Sequence, residues 1–244
     1  MSEKLFISDL HLSEQRLETT ELFLRFLKER PLPGDQLYIL GDLFDVWVGD
    51  DDDTRFSVNI RQALKAVSQR GVEIFLQKGN RDFMIGRRFI HETQATLLKD
   101  PSIVKIAGQS TLLMHGDLLC SDDIQYQKMR RMLRNPITMN YLKARSLEKR
   151  REIARELRLR SGESKAMTAE HIMDANEKTV STFMMKFGVR QMIHGHTHRP
   201  AKHEHILPDH SVGVRWVLPE WHDSEVGILV DYGDKLDQEC FGKS

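Results

Sequence analysis

Five short apolar runs, each long enough for a strand but too short for a helix, end in clusters of carboxylate, imidazole or amide side chains. Leu5-Phe6-Ile7-Ser8 leads into Asp9-Leu10-His11, and Leu37-Tyr38-Ile39-Leu40 leads into Gly41-Asp42. Ile74-Phe75-Leu76 passes through Gln77-Lys78 to Gly79-Asn80-Arg81-Asp82. Thr111-Leu112-Leu113-Met114 precedes His115-Gly116-Asp117, and Gln191-Met192-Ile193 precedes His194-Gly195-His196-Thr197-His198. Strands are predicted at 4–8, 36–40, 72–77, 110–114 and 190–193, with helix-period stretches at 17–30 and 54–70. Such alternation describes an α/β chain, in which ligands gather beyond the carboxyl ends of the strands. The five clusters can therefore converge on one place. The region 201–241 reads as short strands separated by turns at Pro208-Asp209, Pro219 and Gly233-Asp234.

Composition narrows the chemistry. With 244 residues, 40% of them hydrophobic, the chain suits one domain with a sizeable core and room for an inserted subdomain. Its 36 basic and 36 acidic residues balance, so net charge favours no polyanionic partner. Two cysteines, Cys120 and Cys240, exclude a thiolate zinc site and a disulfide framework. No signal-peptide pattern opens the chain and no run of residues has membrane-span length, so a cytosolic or peripheral protein is expected.

One segment differs in character. Between Lys128 and Lys165 thirteen basic residues face only four acidic ones, with Met129, Met132, Leu133, Leu142, Leu147, Ile153 and Leu157 at helical spacing. It reads as a helical insertion, 122–187, between core segments 1–121 and 188–244. Composition alone is equally compatible with an amphipathic cap and with an ordinary solvated helix pair.

Each cluster by itself has a structural explanation: His115 as a core histidine, Asn80 as a turn residue, Arg81 as a surface arginine paired with Asp82. Their joint order is what points to a metal centre. Carboxylate and imidazole without thiolate suits manganese, iron or zinc. His194 precedes the last pair of imidazoles and faces the other way on an extended chain, so it is left outside the ligand set.

The order D-x-H, G-D, G-N-R-D, H-G-D, G-H-x-H resembles the calcineurin-like metallophosphoesterases across residues 5 to 199. The resemblance implies a four-layer α/β/β/α sandwich with a dinuclear centre at its edge. One metal would take Asp9, His11 and His198, the second Asn80, His115 and His196, with Asp42 bridging. Arg81 and Asn80 would act on the phosphoryl group, Arg81 through paired hydrogen bonds to its oxygens. The longer runs Ile7–Leu12, 39–50, 79–83 and 193–200 are similar to the UDP-2,3-diacylglucosamine diphosphatases of bacterial lipid A biosynthesis. That narrower likeness implies two manganese ions and hydrolysis of the substrate pyrophosphate at the α-phosphorus, giving UMP and 2,3-diacylglucosamine 1-phosphate. It implies peripheral attachment to the anionic cytoplasmic face of the inner membrane, without nucleic acid or an obligate protein partner. It also turns the insertion into a cap for the acyl chains, and makes Asp123, Ser161 and Lys165, with Asn80, Arg81 and His196, candidate substrate contacts. Two departures from that family's pattern are Thr168, where a second lysine is expected, and Pro219-Glu220 before Trp221. A nuclease or cyclic-nucleotide phosphodiesterase on the same scaffold, and a metal-poor interaction scaffold, are the competing readings.

Overall fold

The computed structural model describes residues 2–167, 174–222 and 225–242, with the backbone alone for 160–167. In chain order the elements are β1 (Lys4–Ile7), α1 (Leu17–Glu29), β2 (Gln36–Leu40), α2 (Arg55–Gln69), β3 (Glu73–Gln77), α3 (Arg87–Thr93), β4 (Thr96–Leu97), β5 (Ser102–Ile106) and β6 (Gln109–Leu113). There follow α4 (Ile124–Leu133), α5 (Pro136–Lys143), α6 (Leu147–Met167), α7 (Glu177–Phe187), β7 (Gln191–His194), β8 (Ala201–Ile206), β9 (Val212–Val217), β10 (Val226–Asp231) and β11 (Leu236–Phe241). The predicted strands and helices are all present, with ends shifted by one residue. At α2 the shift has a cause: Thr54 is the N-cap, its side chain accepting from the Ser57 N–H, so the helix proper begins at Arg55.

The strands form two sheets, ordered β11-β10-β1-β2-β3-β4 and β5-β6-β7-β9-β8. Their burial explains why the runs are apolar without alternation. Leu5, Ile7, Leu37, Ile39, Ile74 and Leu76 face one core, shared with Phe23 and Phe26 of α1 and Ile60 and Leu64 of α2. Phe6, Tyr38 and Leu40 point the other way, meeting Leu113 and Ile193 of the second sheet. Leu112 and Met192 on that sheet's outer face meet Val180 and Met184 of α7. Each central strand is thus buried on both faces, and the layers run helix, sheet, sheet, helix. The α7 helix lies within the 122–187 stretch yet covers the outer face of the second sheet. The helices α4, α5 and α6 stand over the strand ends.

β1, β2 and β3 are parallel neighbours, as are β6 and β7. Within each sheet these strands deliver their C-terminal loops to one side, and the two sets of loops meet where His196 N–H donates to Asp9 Oδ2 at 2.8 Å. Backbone bonds then lock loop to loop: His11 N–H donates to Asp42 O at 3.0 Å, and Gly195 N–H to His115 O at 2.9 Å.

Candidate metal centre

The donor side chains converge. Asp9, His11 and His198 form one group of potential ligand atoms within 4.8 Å of one another, and Asp9, Asp42 and His115 form a second. His115 Nε2 lies 2.9 Å from Asn80 Oδ1, and the His196 ring is 5.0 Å from the His115 ring. The structure thus brings Asp9, His11, Asp42, Asn80, His115, His196 and His198 to one crevice. His194 points away from it, with Nδ1–H donating to Gly195 O at 2.7 Å and Nε2 accepting from Arg215 Nη1 at 3.1 Å.

The backbone is strained at this spot. Asp9, His11, Asp42, His196 and His198 all have positive φ, between 49° and 66°, a region uncommon for residues other than glycine. Five such residues at the convergence point show that the fold spends stability to aim these side chains. Close packing of the loops demands glycine, most sharply at Gly79 and Gly195. A Cβ on Gly79 would overlap Asp42 Oδ1, and one on Gly195 would overlap both the Asp9 carboxylate and the Ser8 hydroxyl.

Hydrogen bonds select which atoms remain free. His115 Nδ1–H donates to Leu40 O at 2.9 Å, so Nε2 is the ring nitrogen that faces the cluster. Asp9 Oδ2 accepts from Ser8 Oγ at 2.5 Å and from the His196 N–H at 2.8 Å, leaving Oδ1 toward His198 and His11. Asp42 Oδ1 accepts from the Arg81 N–H at 2.8 Å, while Oδ2 lies between His11 and His115 at 3.9 and 3.8 Å. That oxygen is placed to be shared.

Buried carboxylates and imidazoles crowd one another here. Burial, with the Asp82 and Asp9 carboxylates nearby, pushes the Asp42 carboxyl up to about 7 against the pull of His115. Burial by itself would lower the His115 imidazole; Asp42, Asp9, Asp117 and Asp100 push it up to about 9. Burial and the Arg81 charge lower His11 to about 3, so its ring is neutral. Among the described residues neither ring nitrogen of His11 has a hydrogen-bond partner, although the side chain is buried. Unpartnered imidazole nitrogens beside crowded carboxylates are costly unless a cation joins them. The donor set therefore fits two divalent cations, which the seven residues named would hold.

Several contributors were not legible from sequence. Glu220, in the segment that departs from the lipid-enzyme pattern, accepts from His198 Nδ1 at 2.7 Å and lies 3.8 Å from His11 Nε2. His198 is thereby oriented by Glu220 on one side and Asp9 on the other. Replacing Glu220 with alanine is expected to weaken metal retention or activity by about 10–100-fold, as loss of an orienting partner does elsewhere. Metal titration of the variant followed by assay checks this. Asp117 is fully buried and accepts from Arg130 Nε at 2.6 Å and the Tyr126 hydroxyl at 3.1 Å, anchoring α4 beside the centre. Arg81 does not pair with Asp82: its Nη1 bonds Asp45 Oδ1 at 2.6 Å, and its Nε lies 3.6 Å from Asp42. Asp82 instead accepts backbone N–H bonds from Gly79 and Leu43.

Above the centre a cleft of about 850 Å³ runs beneath α4 and α6. Its lining holds the candidate donors Asp42, Asn80, His196 and His198 with Arg81, the apolar side chains Val46, Phe83, Met129, Leu133, Leu142, Ile153 and Leu157, and several arginines of the insertion. Asp123 lines the cleft and also caps α4, accepting from the Tyr126 N–H at 2.9 Å. The side chains of Ser161 and Lys165, and all of Thr168, lie outside the described residues. Much of the insertion's positive charge is spent on the core. Arg130 pairs with Asp117, Arg151 with Asp52 at 2.8 Å, and Arg150 and Arg158 with Asp51 and Asp45.

Comparison with known proteins agrees with this geometry. The pattern of the family described as calcineurin-like phosphoesterase matches residues 4–200. A UDP-2,3-diacylglucosamine hydrolase of Stutzerimonas stutzeri (strain A1501) is 46% identical over 227 residues, covering 93% of this chain and 94% of that one. Proteins of the same name from Azotobacter vinelandii and Pseudomonas aeruginosa (strain UCBPP-PA14) are 47% and 46% identical over the same length, again covering 93% of this chain and 94% of theirs. With the family pattern running through most of the chain and its ligand residues gathered at one crevice, this protein belongs to the calcineurin-like phosphoesterases and is a metal-dependent hydrolase.

Proposed function

We propose that the protein hydrolyses UDP-2,3-diacylglucosamine at the α-phosphorus, releasing UMP and 2,3-diacylglucosamine 1-phosphate. In this reading it uses two manganese ions and works from the anionic cytoplasmic face of the inner membrane. The observation that carries it is that one cleft is lined both by the candidate metal donors and by a large set of apolar side chains. A substrate that is a pyrophosphate at one end and two acyl chains at the other matches that pairing. The names of the relatives support the same substrate.

Divalent cations, when bound, supply Lewis acidity toward water and the phosphoryl oxygens. The chain's own groups do the rest. Arg81, held at the cleft mouth by Asp45, can present its guanidinium to phosphoryl oxygens. Asn80 brings a neutral amide oxygen, which leaves the centre net positive toward an anionic substrate. Tyr126, whose ring lies 5.7 Å from that of His196, closes the wall beside the reacting end. Among the described residues no helix is long and apolar enough to cross a membrane, so attachment is proposed through the surface of the helical cap.

Purified protein treated with EDTA should release no UMP from UDP-diacylglucosamine in detergent micelles, and added manganese should restore release. In ¹⁸O-labelled water the label should enter UMP, because attack at the α-phosphorus puts the new oxygen on the uridylyl product. Label in the lipid phosphate would overturn the site of attack. Metal-dependent cleavage of bis-p-nitrophenyl phosphate without any UMP release would overturn the substrate.

A further inference from the structure

Four consecutive aspartates follow Gly49, and each is committed to a different part of the molecule. Asp50 accepts from the N–H groups of Gly86 and Phe89 at 2.8 and 3.1 Å and from Trp47 Nε1 at 3.2 Å, which makes this loop a rigid part of the core. Asp53 takes Arg61 and Arg88, and Asp52 takes Arg151. Asp51 takes Arg150, in the first turn of α6 and only 5% exposed. Arg150 Nη1 donates to Val48 O at 2.6 Å and Asp51 Oδ1 at 2.8 Å; Nη2 bonds Asp51 Oδ2, and Nε donates to Arg145 O at 3.1 Å. Every guanidinium nitrogen is therefore used, joining the start of α6 to a loop about a hundred residues earlier. Gly49, at φ +147°, makes the room: a Cβ there would overlap Arg150 Nη1.

The bond network continues toward the chemistry. Trp47 N–H donates to Arg81 O at 3.1 Å, so the loop that holds Arg150 is tied to the loop that carries Asn80 and Arg81. One and two turns beyond Arg150, Ile153 and Leu157 form a wall of the apolar cleft. The facing wall, α4, is anchored separately by Arg130 on Asp117 and by Arg134 on Gly79 O. Arg150, with Arg151 and Arg158 further along, ties α6 to the core, while Arg130 and Arg134 tie α4, and none of these bonds includes a metal-ligating residue.

We propose that the Asp51–Arg150 clamp, with Gly49 making space for it, fixes the stance of α6 and so sets the width of the channel that receives an acyl-bearing substrate. Asp51 and Arg150 are positioning residues for the apolar half of the substrate. The inference rests on the lipid-hydrolase reading above for its substrate, though not for its geometry. A small phosphodiester reaches the metal centre without the far wall, whereas a two-chain lipid needs both walls at their spacing.

The test uses the full-length, manganese-loaded protein with Asp51→Asn and, separately, Gly49→Ala, which keeps both charges but evicts the guanidinium. Steady-state kinetics are measured on UDP-diacylglucosamine in mixed micelles and on bis-p-nitrophenyl phosphate, with amide hydrogen exchange across 147–159. Both variants are expected to raise KM for the lipid about tenfold with little change in kcat, the pattern of lost uniform binding. Turnover of the small diester should stay at the wild-type value, and exchange at the start of α6 should accelerate. An unchanged lipid KM overturns the clamp as a specificity element, and so does an equal loss on both substrates. If wild-type protein releases no UMP from the lipid, the lipid-hydrolase reading fails; unaltered exchange in the variants then overturns the clamp itself.

Discussion

Asp42→Ala is expected to lower hydrolysis by on the order of 10³-fold or more, because one side chain stands between both halves of the centre. Its Oδ2 lies between His11 and His115, at 3.9 and 3.8 Å, and its Oδ1 holds the Arg81 N–H. Removing it takes a donor from each proposed cation at once. Metal content, read by mass spectrometry after dialysis, should fall with activity. The variant should not owe this to unfolding. In the metal-free protein Asp42 is buried beside Asp9 and Asp82, and its carboxyl is pushed up to about 7. A carboxyl raised in this way opposes folding as pH climbs from the ordinary carboxylate range through 7, since the unfolded chain ionises more readily. At pH 8 the metal-free variant should therefore melt no lower than metal-free wild type. Near-normal turnover with full metal content would sink the bridging assignment.

Asp82→Ala should damage the fold itself. The side chain is fully buried, and its two oxygens accept the N–H groups of Gly79 at 2.7 Å and Leu43 at 2.8 Å. Phe44 N–H bonds it as well. These bonds pin the loop after β3, which carries Asn80 and Arg81, to the loop after β2, which carries Asp42. Alanine leaves three buried donors unsatisfied, each costing about 1–3 kcal/mol, for a total of about 4 kcal/mol. For a chain of this length that is a fall in Tm of about 10 °C. Activity should fall too, since Gly79 touches the Asp42 carboxylate and any loop movement displaces it. A Tm within about 2 °C of wild type would show that water or a neighbour replaces the carboxylate with little loss.

The contrast between these residues marks how far sequence reasoning reached. Asp82 stands two places from Asn80 in the Gly-Asn-Arg-Asp run, and sequence offers it as a partner for Arg81. In the structure it turns inward to backbone donors, and Asp45 takes Arg81 instead. Which carboxylate a guanidinium meets depends on loop direction in three dimensions, and adjacency along the chain says little about it. Glu220 shows the same gap on a larger scale. It comes from the segment after β9 and reaches His198 only because the Trp221 N–H bonds Asp9 O at 3.1 Å, drawing the segment against the first loop. Nothing local in Pro219-Glu220-Trp221 marks a histidine-orienting acid. Basic residues of the insertion were legible as a charge excess, but their use as tethers to Asp117, Asp51, Asp52 and Asp45 was not.

By itself the sequence determined the five strands that lead into the site and the chemistry at their ends, though not β4, β5 or the order of strands in the sheets. Runs such as Leu5-Phe6-Ile7 lack polar alternation, and a strand of that kind is stable only when buried on both faces. Parallel neighbours place their following loops on one side, so ligand types listed one after another along the chain become neighbours in space. The tertiary structure alone decided which ligand oxygen or nitrogen is left free, through bonds such as His115 Nδ1–H to Leu40 O. It alone placed apolar side chains and candidate donors around one cleft, because that requires helices about a hundred residues from the Asp50–Asp53 loop to be held over it. Local pattern is written in neighbouring residues; the pairing of distant charges is settled only when packing has brought them within reach.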